Sequence, residues 1–150
     1  DGRELNVAML GNRILPITEI DMSQVPAGTP RIVTYDAKWT KDSVDYAQVS
    51  SSQLAVELSP ATVDRVNQVA RQAFAALSVC DFARVDLRLS ADGTPYVLEV
   101  NPNCDISDGA GLARAAAAVG IAYDQLIEEV AYSARQRFAE SQPISTKKSA

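Results

Sequence analysis

The stretch FARVDLRLSADGTPYVLEVNPN, from Phe82 to Asn103, restricts the fold of this chain more than any other. Val85, Leu87 and Leu89 alternate with Arg84, Asp86 and Arg88; beyond Asp92-Gly93, Tyr96, Leu98 and Val100 alternate with Val97, Glu99 and Asn101. A period of two over both runs predicts two half-buried antiparallel strands. Asp-Gly is the favoured pair for a two-residue loop, because both central positions need positive φ. With that loop, Asp86 faces Glu99 and Arg84 faces Asn101. A four-residue loop from Ser90 to Gly93 makes the Asp86–Glu99 contact diagonal on the same face, and a three-residue loop turns one strand over.

Opposed side chains of a hairpin lie about 5 Å apart. Two carboxylates at that separation repel by a few kcal/mol at an effective dielectric of about 20. Two arrangements offset this. In one, Asp86, Glu99 and the Asn101 amide oxygen bind a hard divalent cation such as Mg²⁺, which keeps positions for water and phosphate, with Arg84 beside them as a charge-assisted fork for phosphate oxygens. In the other, Arg84 and Arg88 pair with Asp86 and Glu99 on a solvated polar face. The residues alone weigh these evenly.

The 150 residues are 47% hydrophobic and 22% charged, the make-up of one ordinary globular domain. A net charge of −5 argues against a general nucleic-acid or membrane-surface binder, which needs a basic face. No apolar run reaches the roughly 20 residues that span a bilayer, and the first residues lack a signal-peptide pattern, so a cytoplasmic protein is expected. The two cysteines have no CxxC spacing and are expected to be reduced, Cys80 packed after Val79 and Cys104 exposed beside the site. The chain has no histidine, which removes the usual general base and zinc ligand. Chemistry run by cations, carboxylates and phosphate remains.

In chain order, Leu5 to Leu10 and Ile14 to Ile20 read as a second hairpin turning at Gly11-Asn12. Strand signals this close to the first residue suggest a chain that begins inside a larger domain. Asp21 to Pro30 reads as a loop, Arg31 to Tyr35 as a strand, and Thr40 to Ser59 as a polar irregular stretch with a weak strand at Val44 to Val49. Ser59-Pro60 starts a helix, with serine as N-cap and proline at the first helical position; its stripe runs through Val63, Val66, Ala70, Phe74 and Leu77. Pro102 to Gly109 is a loop, Ala110 to Val119 a short helix closed by Gly120, and Tyr123 to Phe138 an amphipathic helix. Residues 141–150 are expected to form a flexible tail, leaving 1–140 as one subdomain. The run from Asn101 to Gly109 is not a calcium loop, since neither the sixth-position glycine nor the twelfth-position glutamate is in place. The expected architecture is α+β: an antiparallel sheet carrying the two hairpins, with the helices packed on one face.

Taken together, GREL-VAML-G, YDAKW, ARVDLRLSADGTPYVLEVNPN and AVGIAYDQLIEEV resemble the carboxy-terminal part of an ATP-grasp enzyme of the D-alanine–D-alanine ligase kind. R-x-D followed by L-E-x-N-P carries the resemblance most specifically. It implies two Mg²⁺ ions, or Mn²⁺, held by Asp86, Glu99 and Asn101. It further implies Arg84 at the transferring phosphoryl group, Glu4 on the ribose hydroxyls of ATP, and Lys38 on phosphate. The implied activity joins a small carboxylate to an amine through an acyl-phosphate; a non-catalytic nucleotide-binding or scaffold module of the same descent is the alternative. The implied partners are an amino-terminal domain and a lid domain of the same protein, without which the 150 residues are expected to be inactive. A homodimer is compatible with the resemblance. Members of the family carry a glycine-containing loop after the metal asparagine and a serine-bearing segment; here the chain reads Asn103-Cys104-Asp105-Ile106-Ser107-Asp108-Gly109. That loop has been rewritten, and D-alanine is not carried over as the substrate.

Overall fold

The computed structural model describes residues 2–55 and 57–141. Its strands are β1 (Arg3–Leu10), β2 (Arg13–Ile14), β3 (Thr18–Asp21), β4 (Ser50–Leu54), β5 (Phe82–Leu89) and β6 (Pro95–Asn101). Its helices are α1 (Tyr35–Trp39), α2 (Val44–Gln48), α3 (Pro60–Ala76), α4 (Gly111–Ala117) and α5 (Tyr123–Ser141). Every strand pairing is antiparallel. The sheet runs β4-β3-β1-β5-β6, with β2 paired to β1 as well.

The long central pair β1 and β5 is in register from Arg3 opposite Leu89 to Leu10 opposite Phe82. Because side chains alternate across a strand, the pair has two unlike faces. On one, Leu5, Val7, Val85, Leu87 and Leu89 bury against Val66 and Ala70 of α3, the stripe the helical period predicts. Ser59 caps that helix by accepting from the Thr62 amide at 3.1 Å, and Pro60 follows. On the other face, Ala8 and Leu10 pack with Leu112, Ala115 and Ala116 of α4 and Leu126 of α5. The α+β class therefore holds, with the helices divided between the faces. The part of the second face that α4 and α5 leave open carries Glu4, Asn6, Arg84, Asp86 and Arg88.

The central hairpin turns differently from the two-residue expectation. Leu89 pairs with Pro95, and the Ser90 amide donates to the Thr94 carbonyl at 3.0 Å. The loop is thus Ala91-Asp92-Gly93, with Gly93 at φ +79, the left-handed position that glycine fills without strain. A three-residue loop turns β6 over, but the register shifts by one between Asp86 and Leu87. Leu98 is the extra residue, and this bulge turns the strand back. Asp86 therefore faces Glu99 and Arg84 faces Asn101, as the simpler turn also predicts. Since β6 is the sheet edge among the described residues, Tyr96 and Leu98 are 58% and 54% exposed rather than half-buried.

Other expectations need correction. Arg31 to Thr34 form no strand; Tyr35 enters α1 directly. Val44 begins α2, not a strand, and β4 follows it. Both short helices are capped by side chains: Thr34 accepts from the Ala37 amide at 3.1 Å and Ser43 from the Tyr46 amide at 3.0 Å. The predicted second hairpin is split, its return run divided into β2 and β3 around Leu15-Pro16-Ile17. The cysteines are reversed, Cys80 exposed and Cys104 buried, both free. Ser141 ends α5, and the rest of the expected tail, 142–150, lies outside the described residues. No helix among the described residues is long and apolar enough to cross a membrane.

Candidate functional site

On the open face, a cleft of about 670 Å³ is bordered by all six residues singled out by the sequence: Glu4, Lys38, Arg84, Asp86, Glu99 and Asn101. They come from four elements. Strand β1 contributes Glu4; β5 contributes Arg84 and Asp86, two apart and so on one face; β6 contributes Glu99 and Asn101 opposite them; α1 brings Lys38 across from the sheet. A larger hollow, about 1050 Å³, opens elsewhere along Gly2, Pro26 to Arg31 and Glu57, but it gathers none of the facing carboxylates.

The floor of the cleft is a fixed charge network. Asp86, 6% exposed, accepts both arms of Arg84, from Nε at 2.6 Å to Oδ1 and from Nη2 at 2.7 Å to Oδ2. Asn6 Nδ2 donates to Asp86 Oδ1 at 2.9 Å. Asn6 is itself buried and carried no signal in the sequence beyond its place in a strand. The Arg84 guanidinium is pushed above its ordinary pKa chiefly by its hydrogen bonds to Asp86. Arg88 does not join Asp86 or Glu99 but donates to Glu4 Oε2 at 2.9 Å and to the carbonyls of Gly2 and Arg31. Burial raises the Glu4 carboxyl above its usual range, and the Arg88 charge pulls against that shift. The thiol of Cys104, under the loop after β6, is pushed up to about 11 by burial, with the Arg84 charge opposing.

The rim differs. Glu99 is exposed and forms no ion pair among the described residues. Asn101 Oδ1 accepts one bond, from the Asn103 amide at 3.0 Å. A carbonyl or carboxylate oxygen has two lone pairs, so one remains on Asn101 Oδ1 and one on Asp86 Oδ2, with both Glu99 oxygens open. These hard oxygen donors from three residues suit Mg²⁺. The salt-bridge arrangement is also partly realised, since Arg84 engages Asp86, but it leaves Glu99 unanswered.

The family model described as D-ala D-ala ligase C-terminus matches residues 1–131. The chain belongs to that family. It is 35% identical over 126 residues to a D-alanine–D-alanine ligase of Paraburkholderia phytofirmans, covering 84% of this chain and 36% of the relative. It is 34% identical over 141 residues to a Sinorhizobium fredii protein called uncharacterized protein y4sG, covering 92% of this chain and 40% of that one. The chain thus spans about two fifths of the length of the curated relatives it matches. A solved D-alanine–D-alanine ligase from Bacillus anthracis superposes with TM-score 0.74 at 27% identity, covering 95% of this chain and 42% of that one. A second structure of that enzyme, complexed with ATP, gives TM-score 0.72 at 23% identity over 95% and 41% of the chains, a likeness of fold.

Within this ligase carboxy-terminal domain, sequence reasoning also passed over Arg114 and Asp105, which border the same cleft from α4 and the loop before it. The signal for Asp105 is the rewritten loop itself, which places a carboxylate there; Arg114, on α4, carried none.

Proposed function

We propose that this chain is the carboxy-terminal part, residues 1–140, of an ATP- and Mg²⁺-dependent carboxylate–amine ligase whose amino-terminal and lid domains lie elsewhere in the same protein. The observation that supports it best is the convergence of Arg84, Asp86, Glu99 and Asn101 on one cleft that also takes Glu4 and Lys38. Asp86, Glu99 and Asn101 would hold the metal, which when bound neutralises and aligns the ATP phosphates.

Each remaining task falls to a group of the chain. Arg84, held by Asp86, is a preorganised fork for the phosphoryl oxygens, where negative charge gathers during transfer. Lys38, without a carboxylate partner among the described residues, takes a phosphate oxygen. Glu4 keeps Oε1 free beside its bond to Arg88 and accepts from the ribose hydroxyls. A substrate carboxylate oxygen attacks the γ-phosphorus and ADP leaves; the amine then attacks the acyl carbon and phosphate leaves, giving an amide. Histidine is not required at either step, in keeping with a chain that has none.

The test is ADP release by the full-length protein with Mg²⁺ and ATP across a panel of amino acids and small carboxylates. Release that depends on a carboxylate and an amine is expected. Metal-dependent ATP binding without ADP from any pair would sink the ligase and favour a non-catalytic nucleotide-binding module.

A further inference from the structure

One charged side chain of the open face has no task in the reading above. Arg88 spends its guanidinium on three acceptors from three places in the chain: Nη1 donates to the Gly2 carbonyl at 3.1 Å, and Nη2 to Glu4 Oε2 and to the Arg31 carbonyl, both at 2.9 Å. The ion pair is sheltered, with 16% of the Arg88 side chain and 12% of the Glu4 side chain exposed. Strand register sets Glu4 directly opposite Arg88, and Gly2 lets the start of β1 close on them. Gly2 has φ +147, and a Cβ there would clash with the Leu89 carbonyl oxygen and crowd Arg88 Cδ. Glycine at this position therefore keeps the carbonyl within reach of Nη1.

Three acceptors hold the guanidinium still, and through it Glu4. Oε2 is committed to Arg88, which leaves Oε1 as the oxygen that Glu4 offers to the cleft it borders. Arg88 is not among the residues bordering that cleft, so it acts through Glu4 and not by touching a ligand. Its charge has a second effect. Burial pushes the Glu4 carboxyl toward its protonated form, and Arg88 is the largest influence against that shift. An ionised carboxylate only accepts, and in that state Oε1 takes a sugar hydroxyl by a charge-assisted bond.

Resting on the ligase reading, we propose that Arg88 is a positioning residue for the nucleotide sugar, holding Glu4 so that Oε1 selects ribose over deoxyribose. In the full-length protein, calorimetric titration compares Mg²⁺-ATP with its two analogues that each lack one ribose hydroxyl, and with Mg²⁺-tripolyphosphate, which has no sugar. The parent is expected to bind ATP about 10- to 100-fold more tightly than the weaker analogue, the worth of a charge-assisted hydrogen bond. Arg88→Met keeps the apolar stem and loses all three donated bonds. It is expected to erase most of the preference while the affinity for Mg²⁺-tripolyphosphate holds. Arg88→Lys keeps the charge but not the fork and is expected to leave an intermediate preference. A preference that survives Arg88→Met overturns the proposal. So does an equal loss of tripolyphosphate affinity, because a residue with a structural role alone weakens every ligand alike. Should Arg88→Met fail to fold for want of a counter-charge to Glu4, Arg88→Lys decides, and an undiminished preference overturns the proposal. A parent that binds Mg²⁺-ATP without preferring ribose also overturns it and leaves the ligase standing, whereas a parent that binds no Mg²⁺-ATP sinks the ligase reading itself.

Discussion

The floor and the rim of the cleft are built on opposite principles. On the floor, β1 and β5 hold Glu4, Asn6, Arg84, Asp86 and Arg88 in ion pairs and hydrogen bonds that the fold completes by itself. On the rim, Glu99, Asn101, Lys38, Asp105 and Arg114 come from an edge strand, two short helices and a loop, and keep lone pairs or donors unused. Charge is cheap to preset where the strands on either side are buried, because the partners are already in register. At an edge it is left to the ligand. The difference predicts that floor substitutions damage stability as well as binding, and that rim substitutions damage binding alone.

The hardest blow to the floor is Arg84→Met, which strands the buried Asp86 without its counter-charge. Breaking a buried pair costs about 3–5 kcal/mol, so the urea midpoint is expected to fall steeply; a loss below about 1 kcal/mol would show that Asp86 is open to water. Next is Asn6→Ala, which removes one donor to Asp86 and should cost about 1–3 kcal/mol in the same assay.

A smaller effect follows from Glu4. Its carboxyl binds a proton more tightly in the folded chain than in the unfolded one. Stability from this group is therefore complete below the unfolded value of 4.5 and declines as pH rises through the raised folded value. Urea unfolding of the parent and of Glu4→Gln between pH 4 and pH 7 should show the variant without that decline. Equal slopes would contradict the burial that shifts the carboxyl. Smaller still, Cys104 beneath the loop after β6 stays a neutral thiol below about 11, so iodoacetamide at pH 8 is expected to label Cys80 alone in the folded chain and both cysteines after denaturation.

The residues carried by the central hairpin were more legible in the sequence than those carried by the loop after it and by α4, for physical reasons. Alternation fixes which face a strand residue takes, so Arg84, Asp86, Glu99 and Asn101 fell together even though the turn was misjudged. The three-residue loop and the Leu98 bulge each shift the strand by one and their effects on facing cancel. Alternation does not reveal a partner from a strand about 80 residues away, so Asn6 passed unnoticed. The strands expected at Arg31 and Val44 failed because β-branched residues were given more weight than the capping residues Thr34 and Ser43, whose side chains start α1 and α2. The reversed cysteines share one cause: exposure was judged from neighbours in sequence, whereas Cys104 is buried by Leu112, Ala115 and their cluster and Cys80 sits after the end of α3.

Glu99 tests the contrast most directly, since it lies on the rim opposite a floor residue. Glu99→Gln removes a charge and little shape, relieves repulsion with Asp86, and should leave the unfolding free energy from urea titration within about 0.5 kcal/mol of the parent. Calorimetric titration of the full-length variant with Mg²⁺-ATP is expected to show at least about a tenfold loss of affinity, the worth of about 1.4 kcal/mol. Parental affinity for Mg²⁺-ATP together with lowered stability would contradict the account and make Asp86 and Glu99 members of a structural salt-bridge face.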